Sequence, residues 1–140
     1  MGKLNYGLPI LINARKQEIS KLIVCYNKIA RSMYPITSRI SNIKMFKKLD
    51  WPQFNKLRQL REIGFIHNII KSGKPEKIYR NLVIPERLSK EVRYSCTSKA
   101  NNIYYSLTKL YNKLPGRFRS LNKRGIKIKC KETIPEVGYA

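Results

Sequence analysis

Apolar side chains recur every third or fourth position along much of this chain, the spacing that gathers them on one face of an α-helix. Between Asn13 and Met33, the residues Ile19, Leu22, Ile23, Tyr26, Ile29, Ala30 and Met33 make one such stripe. Asn13 is placed to cap that helix and Pro35 to end it, while Lys16, Lys21, Lys28 and Arg31 fall outside the stripe. Ser41 is the expected cap of a shorter helix through Leu49, with Ile43, Phe46 and Leu49 inward. Asp50-Trp51-Pro52 reads as the next start: Asp50 as cap, and Pro52 in the first turn, where an N–H has no helical partner anyway. This third helix extends to Lys71, with Phe54, Leu57, Leu60, Ile63, Ile66 and Ile70 toward a core. Gly64 in its middle costs roughly 1 kcal/mol against alanine. Ser72-Gly73-Lys74-Pro75 is a strong stop.

Glu76 to Leu82 has room for a turn or two of helix, whereas Val83 to Thr97 carries no clear period and reads as an irregular, basic connection. Helix is expected again from Ser98 to Leu114, with Ile103, Leu107, Leu110 and Leu114 on one face and Tyr104, Tyr105 and Tyr111 around it. Pro115-Gly116 breaks it. Farther on, Ile126 and Ile128 alternate with Lys127 and Lys129, as in a short strand. The pattern thus predicts a mainly α fold. A single helical domain of four to five helices occupies residues 1–116, and a basic, partly irregular C-terminal extension occupies 117–140.

Charge changes the picture more than composition does. Thirty Lys and Arg against eight Asp and Glu give a formal net charge of +22, far beyond what solubility of a small domain asks for. With 42% hydrophobic residues the chain still has the means to build a core. Self-repulsion on this scale opposes a compact state unless a counter-charge is supplied. A phosphate backbone is the usual source, because binding it releases condensed counterions. An anionic membrane is the weaker alternative. The longest apolar run, Leu8 to Ile12, is broken by Pro9 and falls well short of the roughly 20 residues of a spanning helix. No secretory leader is evident, and Cys25, Cys96 and Cys130 are too few and too far apart for a disulfide framework. An intracellular location, nuclear or cytoplasmic, is expected.

Residues for chemistry are scarce. Two-metal catalysis needs converging carboxylates, yet Asp50 is the one aspartate and the glutamates are scattered. His67 is the one histidine, with no ligand partner at metal-site spacing, and the glycines are too isolated for a phosphate loop. The stand-alone chain is therefore expected to be no enzyme and to hold no metal or cofactor, with Asp50 and His67 in structural roles. The candidates for contact with RNA or DNA are the basic clusters. Besides Lys44, Lys47 and Lys48, these comprise Lys56, Arg58 and Arg61, then Arg87, Lys90 and Arg93. The densest runs from Arg117 and Arg119 through Lys123, Arg124, Lys127, Lys129 and Lys131. Tyr94 and Phe118 lie close enough in sequence to offer stacking surfaces, while Trp51, Phe54 and Tyr26 fit a core better. Neither helix-turn-helix spacing nor an aromatic ribonucleoprotein strand is present, so binding is expected to be sequence-tolerant and salt-sensitive. A small structural ribonucleoprotein component, such as a ribosomal protein, shares this size and charge and is the alternative reading.

Several segments also follow one another in a familiar order. Leu4-Asn5-Tyr6-Gly7-Leu8, with the helix from Ile19 and Leu22 to Asn27-Lys28-Ile29-Ala30-Arg31, resembles the region just after the polymerase core of non-LTR retrotransposon reverse transcriptases. Lys48-Leu49-Asp50-Trp51 is similar to that family's next joint, Arg58 to Ile70 to its following helix, and Gly73-Lys74-Pro75 to its glycine-proline turn. Arg93-Tyr94-Ser95 resembles a further segment. Leu110-Tyr111-Asn112-Lys113-Leu114-Pro115, with Arg119, resembles the family's L-W-N-x-L-P stretch, Tyr111 standing where tryptophan is usual. The likeness covers nearly the whole chain, and its strength is the shared order. The family's catalytic tyrosine-x-Asp-Asp motif, which lies upstream of this region, is absent. The resemblance therefore implies a fragment or offshoot: thumb and C-terminal helices that grip template and product, without fingers or palm.

Overall fold

A computed structural model of the chain describes residues 7–34, 40–87, 90–95 and 102–133. A 3-10 helix, Leu8–Asn13, opens it, with Pro9 in the first turn and Leu8 and Pro9 buried. Helix α1, Lys16–Met33, follows. Asn13 does not cap it, because the Asn13 carboxamide oxygen instead accepts from Ser106 Oγ at 2.8 Å. The cap is Arg15, whose N–H donates to the Glu18 carboxylate at 3.3 Å. The apolar stripe lies as expected over Tyr26 and Ala30, with Ile19, Leu22 and Ile23 beside them, but Ile29 and Met33 stay exposed.

Ser41 caps helix α2, Asn42–Lys48, accepting from Lys44 N at 3.4 Å. Met45 and Phe46 are its buried residues, and Ile43 faces out. Asp50 has a role opposite to the expected one. It ends α2 instead of starting the next helix, with a left-handed φ of 50°. Asp50 N–H donates to Lys47 O at 3.3 Å, and Trp51 N–H to Phe46 O at 3.0 Å. That pair of bonds is a Schellman closure, and aspartate is among the few non-glycine residues that tolerate its left-handed position. Helix α3, Phe54–Ser72, then starts from Gln53 and ends at Gly73, whose φ of 69° satisfies the expected stop.

The stretch from Glu76 holds the expected turn of helix, α4 (Glu76–Tyr79), and the segment from Val83 that reads as irregular takes part in a two-residue antiparallel ladder. Its strands are β1, Leu82–Val83, and β2, Arg93–Tyr94, paired Leu82 with Tyr94 and Val83 with Arg93. Asn102 caps helix α5, Ile103–Asn112, by accepting from Tyr105 N at 3.1 Å. The helix start expected near Ser98, the stop at Pro35 and the end of the basic extension fall outside the described residues. After Pro115 come a turn of helix, α6 (Gly116–Arg119), and then α7, Lys123–Thr133.

Helix α7 corrects the expectation of a strand at Ile126 to Lys129. Ile126 and Cys130, four positions apart, both bury in the core against α3, while Ile128 is 50% exposed. Burying one stripe against a neighbouring helix outweighs the local alternation of Ile and Lys. Residues 117–133 contribute Phe118, Ile126 and Cys130 to the buried side chains of the fold.

The fold is mainly α, and α3 is its spine. One end of α3 joins Phe54 to Leu8, Tyr26, Ala30, Met45 and Phe46. There Tyr26 stacks on Phe46 at 5.5 Å, meets Phe54 edge-on at 5.6 Å, and donates its hydroxyl to Pro52 O at 2.9 Å. The rest of α3 gathers α5, α7 and the ladder around Ile63, Ile66, Ile69 and Ile70.

Candidate nucleic-acid interface

Helix α7 turns Ile126 and Cys130 inward, so Lys123, Lys127 and Lys131, again four apart, form a row along its exposed side. Successive members of such a row are separated by about 6 Å of helix rise. The row lies along α3 in the opposite chain direction. Lys123 and Lys127 line a groove with Arg61, Gly64, Phe65 and Asn68, whereas Lys131 shares a hollow with Lys56, Trp51 and Asp50 near the start of α3. Five of the expected cations, Lys56, Arg61, Lys123, Lys127 and Lys131, are thus drawn into one seam.

The groove at one end of the seam has a volume of about 640 Å³, and among the described residues no carboxylate lines it. Tyr104 of α5 and Ile10 of the 3-10 helix close its sides, and Phe65 is 37% exposed within it. A second groove of about 590 Å³ lies between the ladder and α5, lined by Arg93, Tyr94, Tyr105, Lys109 and Lys113, with Glu91 also present. Tyr94 of the second groove and Tyr104 of the first have ring centroids 5.6 Å apart, so an aromatic pair links the linings of the two grooves.

The remaining expected cations are dispersed or otherwise engaged. Arg87, Lys90, Arg117 and Arg124 are exposed but line neither groove. Arg117 lies 5.3 Å over the Phe118 ring, and Lys129 pairs with Glu132 at 3.1 Å. Arg58 turns inward toward Glu62 at 3.4 Å, its side chain 19% exposed. Phe118 is buried and has no face to offer a base.

Arg119 requires a correction, because it is 4% exposed and engaged with the protein itself. Its Nη1 donates to Lys90 O at 2.8 Å and to Asn112 Oδ1 at 3.3 Å. Asn112 in turn treats Val92 as one strand treats another. Its Nδ2 donates to Val92 O at 2.7 Å, and its Oδ1 accepts from Val92 N at 3.0 Å. Tyr111 completes the cluster: its hydroxyl donates to Arg119 O at 3.3 Å and is hydrogen-bonded to His67 Nδ1 at 2.9 Å. The motif from Tyr111 to Arg119 is therefore a clamp that fixes residues 90–93 beside the second groove.

Burial governs the titration of these inner groups. It pushes the Tyr111 hydroxyl up to about 12, against the pull of Arg119, which keeps that proton available for donation. Burial, reinforced by Lys71, lowers the His67 pKa and favours the neutral ring. The same cause raises the Cys130 thiol. It also raises the Glu62 carboxyl to about 7 despite the nearby Arg58.

Phe65 and Tyr104 were missed as candidate contacts. A signal for Phe65 did exist, since it sits off the α3 apolar stripe, an aromatic residue on the polar side beside a mid-helix glycine. Among the described residues no three His, Cys, Asp or Glu side chains converge as a metal site, and no helix is long and apolar enough to cross a membrane. Comparison with protein-family models, curated proteins and solved structures finds no match to the chain.

Proposed function

We propose that the chain is a non-catalytic nucleic-acid-binding module that holds the phosphate backbone of RNA or DNA along the seam between α3 and α7. The carrying observation is the row Lys123, Lys127 and Lys131 set beside Arg61 and Lys56. Cations spaced along one side of a helix can meet successive phosphates, and each phosphate neutralised releases counterions. The sequence has neither helix-turn-helix spacing nor an aromatic ribonucleoprotein strand motif, so on this reading the binding is backbone-led and tolerant of sequence. Within this reading the chain corresponds to the thumb and C-terminal helices of a non-LTR reverse transcriptase, without the catalytic palm. The Tyr111 to Arg119 motif, which carries the best part of that resemblance, is occupied with internal contacts. Within this reading that motif has an internal, structural role, while the cations supply the affinity.

The test is binding of the purified chain to labelled single-stranded and duplex oligonucleotides over a salt series. Affinity should be high in dilute buffer and fall linearly on a log-log plot against salt. Absence of binding in dilute buffer, or indifference to salt, overturns the proposal.

A further inference from the structure

Gly64 has no structural reason to be glycine. It sits inside α3 without a left-handed φ, and a Cβ placed there would meet nothing within 4 Å among the described residues outside its own helix backbone. Glycine at a helix interior lowers helix stability, and close backbone packing does not account for it here. What Gly64 does is leave the floor of the first groove open. Phe65 and Tyr104 present rings in that groove, and Arg61, Lys123 and Lys127 surround it. Its volume of about 640 Å³ is in the range of sites that enclose a small organic group.

We propose that this groove seats an unstacked base of a single-stranded polynucleotide. The inference rests on the backbone-binding reading above and adds the class of nucleic acid to it. Phe65 and Tyr104 offer ring faces to the base, and Arg61, Lys123 and Lys127 take the phosphates on either side of it. A duplex keeps its bases stacked and paired, so it can use the cations but not the rings. Stacking on a ring is blind to the 2′-hydroxyl, so RNA and DNA single strands should respond alike.

Affinities for short oligouridine, oligothymidine and a blunt duplex, measured by fluorescence anisotropy at one salt concentration, test this. Phe65→Ala and Tyr104→Ala should each weaken single-strand binding roughly tenfold and leave duplex binding unchanged. Gly64→Leu supplies the check on folding: it should raise the thermal midpoint by improving helix propensity, yet weaken single-strand binding by filling the floor. If the three substitutions leave single-strand affinity untouched, or lower duplex affinity in step with it, base seating is overturned while the seam survives. A wild-type chain that binds neither form overturns both.

Discussion

Replacing Glu62 by glutamine should make the protein more stable, and increasingly so as pH rises. Glu62 is 1% exposed on α3, with Arg58 at 3.4 Å, and its Oε1 accepts no hydrogen bond. Burial therefore carries its pKa from an ordinary 4.5 to about 7, with Arg58 opposing. The folded state then holds this proton more tightly than the unfolded chain does. Its contribution to stability is fully present below 4.5 and is lost as pH rises through about 7. A rise of that size corresponds to roughly 3 kcal/mol, an upper figure because Arg58 still touches solvent. Glutamine matches the shape and cannot ionise. The two proteins should be nearly equal in acid, and the variant more stable by roughly 2–3 kcal/mol in alkali. All other groups titrate alike in both, so the difference between urea-unfolding curves across pH isolates Glu62. A difference independent of pH refutes the argument. So does a wild type that gains on the variant as pH rises, which would mean that the pair with Arg58 outweighs burial.

Further outcomes follow from the clamp, the buried ring and the helix end. Asn112→Ala removes both bonds to Val92 and one partner of Arg119, and should cost about 1–3 kcal/mol in chemical unfolding. An unchanged midpoint would show that residues 90–93 do not depend on it. His67 has a lowered pKa, so its contribution is present above 6.5 and is lost as pH falls through the lower folded value. His67→Gln should flatten that acid limb of the stability profile while oligonucleotide affinity changes little; a retained limb assigns it to another group. Asp50→Gly should raise stability by up to about 1 kcal/mol, because glycine suits the left-handed position. Loss of stability in thermal unfolding would instead give the Asp50 side chain a role of its own.

The helical class was legible because the stripes of α1, α3 and α5 are long and periodic, and because Ser41 and Gly73 mark ends through purely local chemistry. Elsewhere tertiary contacts overruled local signals. Asp50 before Trp51-Pro52 has the chemistry of a helix start, and only the bonds from Asp50 and Trp51 back into α2 reveal it as an end. In α7 the alternation of Ile and Lys concealed the Ile126 and Cys130 pair, whose burial depends on where α3 lies. Arg119 and Asn112 look like surface residues in a basic stretch; their inward roles depend on residues 90–92, twenty and more positions away. The seam was half visible. Its cations were all candidates, but the opposed directions of α3 and α7, which choose Lys131 and Lys56 over Lys129 and Arg58, are a property of assembly.

The most direct measurement is the salt dependence of single-strand affinity in two variants of equal charge. One replaces Lys123, Lys127 and Lys131 of α7 by alanine, and the other replaces the exposed Lys16, Lys21 and Lys28 of α1. Removing contacts to three phosphates should reduce the log-log slope by about 2, whereas the α1 variant should keep the wild-type slope. Equal slopes in the two variants would mean that the chain attracts polynucleotides only by its overall charge, and that the seam is not where they bind.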